Sequence, residues 1–161
     1  MRTFSAIDTS VITMELQQLV VDFGRDVDFN AARGMTEFYA EDGTLVAGNK
    51  TFQGRAAIGQ FYADRNRRVA TEQKGGVRTV RHAYTNVQVL VEDESHALVS
   101  FGSINYSGAG TPPLEGVNPT LFSDCQMKLQ RAQNGQWLIT DFRAVPVFIG
   151  DDPFLNRTMN I

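Results

Sequence analysis

The sequence has 161 residues, enough for one domain with a buried core and too few for two domains of ordinary size. Its formal net charge is −3, and its densest basic run, residues 65–68, is short and interrupted. A nucleic-acid partner or an anionic membrane surface is therefore not expected, because both are bound through a clustered positive field. We interpret residues 65–68 as a solvated helix end.

A single cysteine, Cys125, excludes an internal disulfide, and no cysteine–histidine cluster has the spacing of a zinc site. Residues 1–8 lack the apolar core of a signal peptide, and no run approaches the roughly 20 apolar residues of a membrane span. We expect a cytoplasmic protein that needs no metal and no cofactor.

The first half of the sequence predicts helices around a short hairpin. Apolar residues recur at helical spacing over positions 12–27, which predicts an amphipathic helix with Thr9 or Ser10 as its N-cap. The elements expected after it are a short helix at residues 31–40, a turn at 42–43, strands at 44–47 and 51–52 joined by a reversal at 48–50, and a helix at 55–69.

The second half alternates in polarity and is rich in β-branched residues, as in long strands. Asn134 and Gly135 give the strongest turn signal of the sequence and predict a hairpin. The expected elements are strands at residues 77–91, 97–106, 121–131 and 137–148, a loop at 107–119 and an irregular tail from 150. Helices first and antiparallel strands last predict the α+β class, with helices packed on one face of a sheet.

Four segments, taken in order, carry a resemblance to a known family. They are residues 38–45 (FYAEDGTL), 52–58 (FQGRAAI), 81–86 (RHAYTN) and 134–139 (NGQWLI). In this order they resemble the SnoaL-like branch of the nuclear transport factor 2 superfamily. The resemblance covers residues 12–148 and implies a single domain over the whole chain.

The fold implied by this resemblance is NTF2-like, also called cystatin-like. It is a cone-shaped, strongly bent antiparallel sheet whose N-terminal helices enclose a deep apolar pocket. Such domains commonly pair through the exposed face of the sheet, so the resemblance also implies a homodimer or a homotrimer.

Within the superfamily the sequence is most similar to the scytalone dehydratase-like branch, whose members share an Asp–His pair. His82 matches the histidine by its Arg-His context, and Asp28 matches the aspartate by its ungapped distance from Asp42. In these roles His82 removes a carbon-bound proton, while Asp28 fixes the tautomer and stabilises the imidazolium. Asp22 and Asp26 lie nearby and remain alternatives to Asp28.

The sequence departs from this branch at two positions. Val27 replaces a tyrosine that often precedes the aspartate, and Ser107 lies near the place of a second pocket histidine. Read without the resemblance, His82 could equally be a hydrogen-bonded core imidazole, and Asp28 could be an exposed cap of the second helix.

Polar and aromatic side chains on the predicted elements are candidates for substrate contacts, since alternate residues of a strand share one face. This alternation groups Val80, His82, Tyr84 and Asn86 together. For the polar residues of the last strands, a position facing solvent is the alternative. The expected substrate-binding residues are Tyr39, Tyr62, Tyr84, Phe101, Ser103, Asn105, Asp124, Gln126 and Phe142.

By resemblance, the expected function is a cofactor-independent lyase of the dehydratase type that acts on a small apolar or aromatic ring compound. The alternatives are an isomerase or polyketide cyclase of the same fold, and a non-catalytic ligand-binding protein or structural oxygenase β-type subunit. Epoxide hydrolysis would instead need paired carboxylates bridged by an arginine, for which Asp124 with Arg143 or Asp141 are candidates. We assign His96 no role, and we expect Cys125 to be a packed thiol.

Overall fold

The computed structural model describes residues 5–116 and 118–161. The expectation of a missing signal peptide rests partly on residues 1–4, and the predicted loop at 107–119 contains residue 117; these five positions lie outside the described residues. Within the described part of the chain, no helix is long and apolar enough to span a membrane.

Helix α1 (Ala6–Asn30) begins one turn earlier than predicted. Its N-cap is Ser5, whose Oγ accepts the backbone N–H of Asp8 at 3.2 Å, while the Asp8 carboxylate accepts the backbone N–H of Ser5 at 3.0 Å. This reciprocal capping box satisfies two backbone donors that would otherwise be unpaired. The predicted caps, Thr9 and Ser10, are therefore wrong and lie inside the helix.

Two consecutive alanines end α1. Ala31 and Ala32 have φ angles of 54° and 59°, and the N–H of Ala32 returns to the Asp26 carbonyl at 2.9 Å. Left-handed residues cannot continue a right-handed helix. The predicted helix at 31–40 is therefore wrong: residues 35–38 form only one 3₁₀ turn, Met35–Phe38.

Strand β1 (Tyr39–Ala47) follows at once, five residues earlier than predicted. The expected turn at residues 42–43 is wrong, because both residues lie within β1. Pairing with the last strand shifts register between Tyr39 and Thr44, so the turn-forming Asp-Gly pair marks an irregularity within the strand. Strand β2 (Lys50–Gln53) completes the predicted hairpin, and α2 (Arg55–Glu72) follows it.

Four long strands complete the sheet. They are β3 (Arg78–Val91), β4 (His96–Ala109), β5 (Leu121–Arg131) and β6 (Trp137–Ile149), and a 3₁₀ turn at Lys74–Gly76 precedes β3. The strand order is β2-β1-β6-β5-β4-β3. Register shifts in the β3–β4 and β5–β6 pairs are bulges, which bend long strands.

The sheet is mixed, whereas the sequence predicted an antiparallel one. Every pair is antiparallel except β1 with β6, which run parallel. The two strands are separated by most of the sequence, so no hairpin dictates their direction. The remaining expectation is confirmed: the chain is α+β, with the NTF2-like, cystatin-like architecture.

The core lies between α1 and the sheet. Apolar residues at helical spacing face inwards from α1, and alternate residues of the strands meet them. The most deeply buried side chains are Leu16, Val20, Met35, Tyr39, Leu45, Ile58, Val99, Met127 and Ile139.

The tail forms a helix, where the sequence predicted irregular structure. The N-cap of helix α3 (Pro153–Met159) is Asp152, whose Oδ1 accepts the backbone N–H of Leu155 at 3.1 Å. Phe154, Thr158 and Met159 are buried. The tail therefore closes one end of the core.

Strands β4 and β6 also extend beyond their predicted ends.

Candidate active site

His82 and Asp28 are in direct contact. Asp28 Oδ1 lies 2.6 Å from His82 Nδ1, and Asp28 Oδ2 accepts the backbone N–H of His82 at 2.8 Å. The side chain of Asp28 is 7% exposed and that of His82 is 16% exposed. A carboxylate this far from water needs donors of this kind, and both of its oxygens have one.

The secondary structure explains this contact. Asp28 lies in the last turn of α1, which packs against β3, where His82 is the fifth residue. A carboxylate is unfavourable near the C-terminal end of a helix because of the helix dipole. The two donors from His82 offset that cost. Asp28 therefore faces the sheet, and the alternative role as an exposed cap does not apply.

The other two candidate aspartates are occupied elsewhere. Asp22 is exposed on α1 and accepts a hydrogen bond from the Gln18 side chain at 2.8 Å. Asp26 closes the end of the helix, where it accepts the Gly34 N–H at 3.1 Å and the Asn30 amide at 2.6 Å. Of the three, only Asp28 contacts His82.

Asn105 contacts the second ring nitrogen of His82. Its Nδ2 lies 2.9 Å from His82 Nε2, and its Oδ1 accepts a hydrogen bond from Thr120 Oγ1 at 3.2 Å. An amide whose oxygen is occupied presents its N–H groups, so Asn105 donates to Nε2. The imidazole then carries its proton on Nδ1, facing Asp28, and an acceptor pair on Nε2.

A largely apolar cavity of about 130 Å³ lies beside this group, between the sheet, α1, α2 and α3. The expected substrate-binding residues that line it are Tyr62, Tyr84, Phe101, Ser103, Asn105 and Phe142. His82 lines it as well, and so do Val27 and Ser107, the two positions at which the sequence departs from the branch that it resembles.

Aromatic rings form one wall of the cavity. Tyr84 packs on Phe101 with ring centroids 4.8 Å apart, and Phe101 stacks with Phe142 at 6.4 Å. Gly24 of α1 makes room for Tyr84, because a Cβ at that position would lie 2.6 Å from Tyr84 Cε2. Such a wall suits a flat ring compound.

Three expected residues lie elsewhere. Tyr39 is fully buried in the core beside Phe23 and is not among the cavity residues. Asp124 and Gln126 share a face, as alternation predicts, but it is the opposite, exposed face of the sheet. Alternation shows which residues point together and leaves open which face is inside.

The outer face also holds the pair considered for epoxide hydrolysis. Arg143 contacts Asp141, with Nε 2.8 Å from Oδ1, and it lines a shallow groove with Asp124 outside the cavity. Asn86 lines the same groove instead of sharing a face with His82. Its φ of 53° and the register shift between residues 85 and 88 reverse the alternation at this point.

Hydroxyl and thiol groups in the cavity are held neutral by burial. Burial raises the pKa of Tyr62 and Tyr84 well above the usual range of a phenol, so both remain hydrogen-bond donors at neutral pH. Burial, with a smaller contribution from the Asp124 charge, raises the pKa of Cys125 to about 12. A thiol of this kind is a poor nucleophile, in line with the predicted packed thiol.

Sequence reasoning missed a buried polar cluster that reaches the cavity. Arg78 forms an ion pair with Asp152, and its Nη2 donates to Ser107 Oγ at 2.8 Å. Ser107 in turn donates to Asp152 Oδ2 at 2.8 Å and lies 2.9 Å from Thr120 Oγ1. Since Arg78 and Asp152 are 74 positions apart, only the fold brings them together.

Two further cavity residues were also missed. Ser123 is 3% exposed, and its hydroxyl has no hydrogen-bond partner among the described residues. Arg65, interpreted from the sequence as part of a solvated helix end, lines the cavity. His96 is exposed, and its Nδ1 lies 3.0 Å from Asp93 Oδ1.

Within the described ranges, 5–116 and 118–161, no three His, Cys, Asp or Glu side chains are grouped so that they could hold a metal ion. The side chains of the site offer an imidazole, two phenols, an amide and several hydroxyls in an apolar hollow.

Solved structures with the same fold include three that cover most of the chain. A candidate scytalone dehydratase from Novosphingobium aromaticivorans is 17% identical over 88% of this chain and 89% of its own, with a TM-score of 0.69. A variant of Rv3472 from Mycobacterium tuberculosis, of unknown function, is 18% identical over 99% and 91%, with a TM-score of 0.73. A Catenulispora acidiphila protein in complex with S-DNPA is 16% identical over 85% and 94%, with a TM-score of 0.68.

These likenesses show the fold, and family membership rests on the sequence. No curated protein matches the chain significantly. The model of the SnoaL-like domain, however, matches residues 12–143, which include most of α1, both Asp28 and His82, and every strand except the last part of β6. The chain therefore belongs to the SnoaL-like domain family.

Proposed function

We propose that the protein is a cofactor-independent lyase of the dehydratase type. In this proposal His82 abstracts a carbon-bound proton from an apolar ring compound, and Asp28 orients His82. The observation that carries the proposal is the 2.6 Å contact between Asp28 and a His82 ring that lines an apolar cavity. A positioned imidazole in such a place is suited to general-base catalysis.

Proton transfer would use Nε2 of His82. Nδ1 holds the proton shared with Asp28, so Nε2 carries the electron pair that can accept a proton from carbon. Asn105 donates to that electron pair when the cavity is empty. A bound substrate would take the place of the Asn105 N–H at Nε2, which frees the amide to donate to the substrate.

The protons and electron pairs of the elimination can all be accounted for by the substrate and the side chains of the site. The C–H bond breaks, its proton moves to Nε2, its electron pair forms the new double bond, and the β-substituent leaves with the electrons of its bond. A departing hydroxide must be protonated, and the imidazolium of His82 can return the abstracted proton to it, which releases water and restores the neutral imidazole. The neutral hydroxyls of Tyr62 and Tyr84 can donate hydrogen bonds to the departing oxygen. The Asp28 carboxylate stabilises the imidazolium meanwhile.

Polar groups around the cavity would orient the substrate. Asn105, Ser103 and the unpaired hydroxyl of Ser123 line the cavity and can donate to a substrate carbonyl, where negative charge develops as the proton leaves. Asp124 is exposed on the other side of the sheet, so we do not include it among these groups.

A second candidate, a non-catalytic ligand-binding protein, is favoured by one observation. Both ring nitrogens of His82 already have partners, Asp28 and Asn105, as expected of a structural histidine. An isomerase would use the same base and return the proton to another carbon of the same ligand, so only its product distinguishes it from a lyase.

Turnover by matched histidine variants tests the proposal. Bicyclic β-hydroxy ketones lose water to give conjugated products, whose absorbance can be followed directly. We expect His82→Gln to lower kcat by about 10²-fold or more, because a general base contributes that much. His96→Gln, which changes the only other histidine, should keep the wild-type rate. Equal rates for His82→Gln and wild type would overturn the lyase proposal.

We further propose that the protein assembles as a homodimer or homotrimer. On the outer face of β6, Val145, Val147 and Ile149 are each about half exposed, and an apolar strip of this kind favours association. Light scattering on the purified protein tests this. A monomer at micromolar concentration would contradict the proposal.

A further inference from the structure

Arg65 is a cavity residue without an acidic partner. Among the described residues, no carboxylate lies within ion-pair distance of its guanidinium, whose one side-chain hydrogen bond runs from Nη1 to Asn66 Oδ1 at 3.2 Å. Its neighbours on α2 differ: Arg67 pairs with Asp64, and Arg68 pairs with Glu72. The solvated helix end predicted from the sequence therefore does not describe Arg65.

The charged groups around Arg65 leave its guanidinium without a direct counterion among the described residues. The cavity is lined by Arg65, Arg78 and His82, and by no aspartate or glutamate among the described residues. Arg78 is neutralised by Asp152, and Asp28, whose two oxygens contact His82, acts on Arg65 only at a distance. Burial, followed by the charge of Arg78, lowers the pKa of Arg65, and smaller contributions from Tyr62 and Asp28 oppose this shift.

The position of Arg65 gives an anion access to it. A smaller hollow between α1, α2 and β3 adjoins the main cavity, and the two share Val27, Arg65, Arg78 and Val80 as lining residues. Arg33, which is exposed and has no ion-pair partner among the described residues, also lines this outer hollow. Asp28 lines this hollow as well, with both carboxylate oxygens in contact with His82, so Arg33 and Arg65 are the groups there that can pair with an incoming anion.

We propose that the ligand of this cavity is a ring compound that carries a carboxylate, and that Arg65 binds this carboxylate. The planar guanidinium can donate two parallel N–H groups to a carboxylate, and this carboxylate would be the direct ion-pair partner that Arg65 lacks among the described residues. The ring would lie against Phe101 and Phe142, on the same cavity that His82 lines. The inference deepens the proposed function and rests on it for the identity of the cavity as the substrate site.

Binding of two probes of equal shape tests this inference by calorimetry. 2-Naphthoate carries the carboxylate, and 2-naphthamide is its neutral counterpart. We expect wild-type protein to bind the naphthoate at least about tenfold more tightly than the amide, since hydrogen bonds between charged groups contribute this much. Arg65→Gln should remove the preference, and Arg65→Lys should keep part of it.

Arg67→Gln is the matched control, because it removes an arginine from the same helix where the side chain is 67% exposed. It should keep the wild-type preference. Equal binding of the two probes by wild type, an unchanged preference in Arg65→Gln, or no binding of either probe would each overturn the inference. Thermal unfolding of each variant checks that it is folded.

The experiment measures binding only, so its result is separate from that of the turnover test. His82→Gln should retain the preference for the naphthoate even where it abolishes turnover. The preference for the naphthoate could depend on Arg65 while His82→Gln turns over as fast as wild type. This combination would support the carboxylate site and contradict the lyase proposal.

Discussion

Asp28 holds both the side chain and the backbone of one residue, His82. Its Oδ1 lies 2.6 Å from the ring Nδ1, and its Oδ2 accepts the backbone N–H at 2.8 Å. A carboxylate fixed at two points cannot rotate without losing a bond, so the imidazole has one preferred orientation. Nε2 is then directed to Asn105, a cavity residue.

Replacing Asp28 by asparagine should impair the reaction with little loss of stability. The backbone N–H of His82 requires an acceptor, so the amide oxygen should take that place and the NH₂ group should face Nδ1. Nδ1 then accepts, the ring proton moves to Nε2, and the base is lost. We expect kcat to fall by about 10²- to 10⁴-fold.

Asp22→Asn is the control for this variant, because Asp22 is exposed on the same helix, where its side chain accepts a hydrogen bond from Gln18. Its turnover should equal that of wild type. A rate for Asp28→Asn within about twofold of wild type would mean that the carboxylate has no part in catalysis.

Replacing Asp152 by asparagine should destabilise the fold. The Arg78 and Asp152 side chains are 4% and 8% exposed, and the carboxylate neutralises a guanidinium that is cut off from water. Removing one partner of a buried ion pair costs about 3 kcal/mol in the free energy of unfolding. Asp151→Asn, at the exposed neighbouring position, should change it by less than about 0.5 kcal/mol. Urea unfolding measures both, and equal midpoints would contradict the assigned role of the pair.

Stability should fall in alkaline solution. Burial raises the pKa of Cys125 from 9.0 to about 12 and also raises the pKa of Tyr39, Tyr62 and Tyr84. Because the folded pKa exceeds the unfolded one, the stabilisation is complete below about pH 9 and is lost as pH rises towards the folded pKa. For Cys125 alone the loss reaches about 3 kcal/mol by pH 11.

Urea midpoints between pH 7 and pH 11 check this prediction. The urea concentration at the midpoint should decrease once the pH exceeds about 9. In Cys125→Ala this decrease with pH should be less steep. A midpoint that stays constant over the whole range would show that these groups titrate alike in the folded and unfolded chain.

Local patterns in the sequence predicted most of the elements. The periodicity of residues 12–27 and the alternation after residue 77 arise from burial of one face, which the fold preserves. Two of the errors occur where the backbone conformation departs from a local rule. Ala31 and Ala32 adopt a left-handed conformation usually left to glycine, and Asn86 does so within a bulge. The amino-acid types around these positions do not indicate either left-handed conformation.

The candidate site was predictable only in part, for a physical reason. His82 and Asp28 could be named because a family motif carries them, whereas Arg65 and Ser123 become cavity residues only through packing of distant elements. Asp124 and Gln126 show the limit of strand periodicity: they point together, yet outwards. Which face is inside depends on where the helices pack, and that information is not local.

The ring proton of His82 tests the central claim most directly. Nitrogen NMR of the two imidazoles, with His96→Gln for assignment, reports which ring nitrogen carries the proton in neutral histidine. We predict that the proton is on Nδ1 in wild type, which leaves Nε2 as the acceptor in the cavity, and that it moves to Nε2 in Asp28→Asn. If the proton were on Nε2 in the wild-type protein, or if both proteins had the same tautomer, this would contradict the claim that Asp28 fixes the tautomer in which His82 can act as a base.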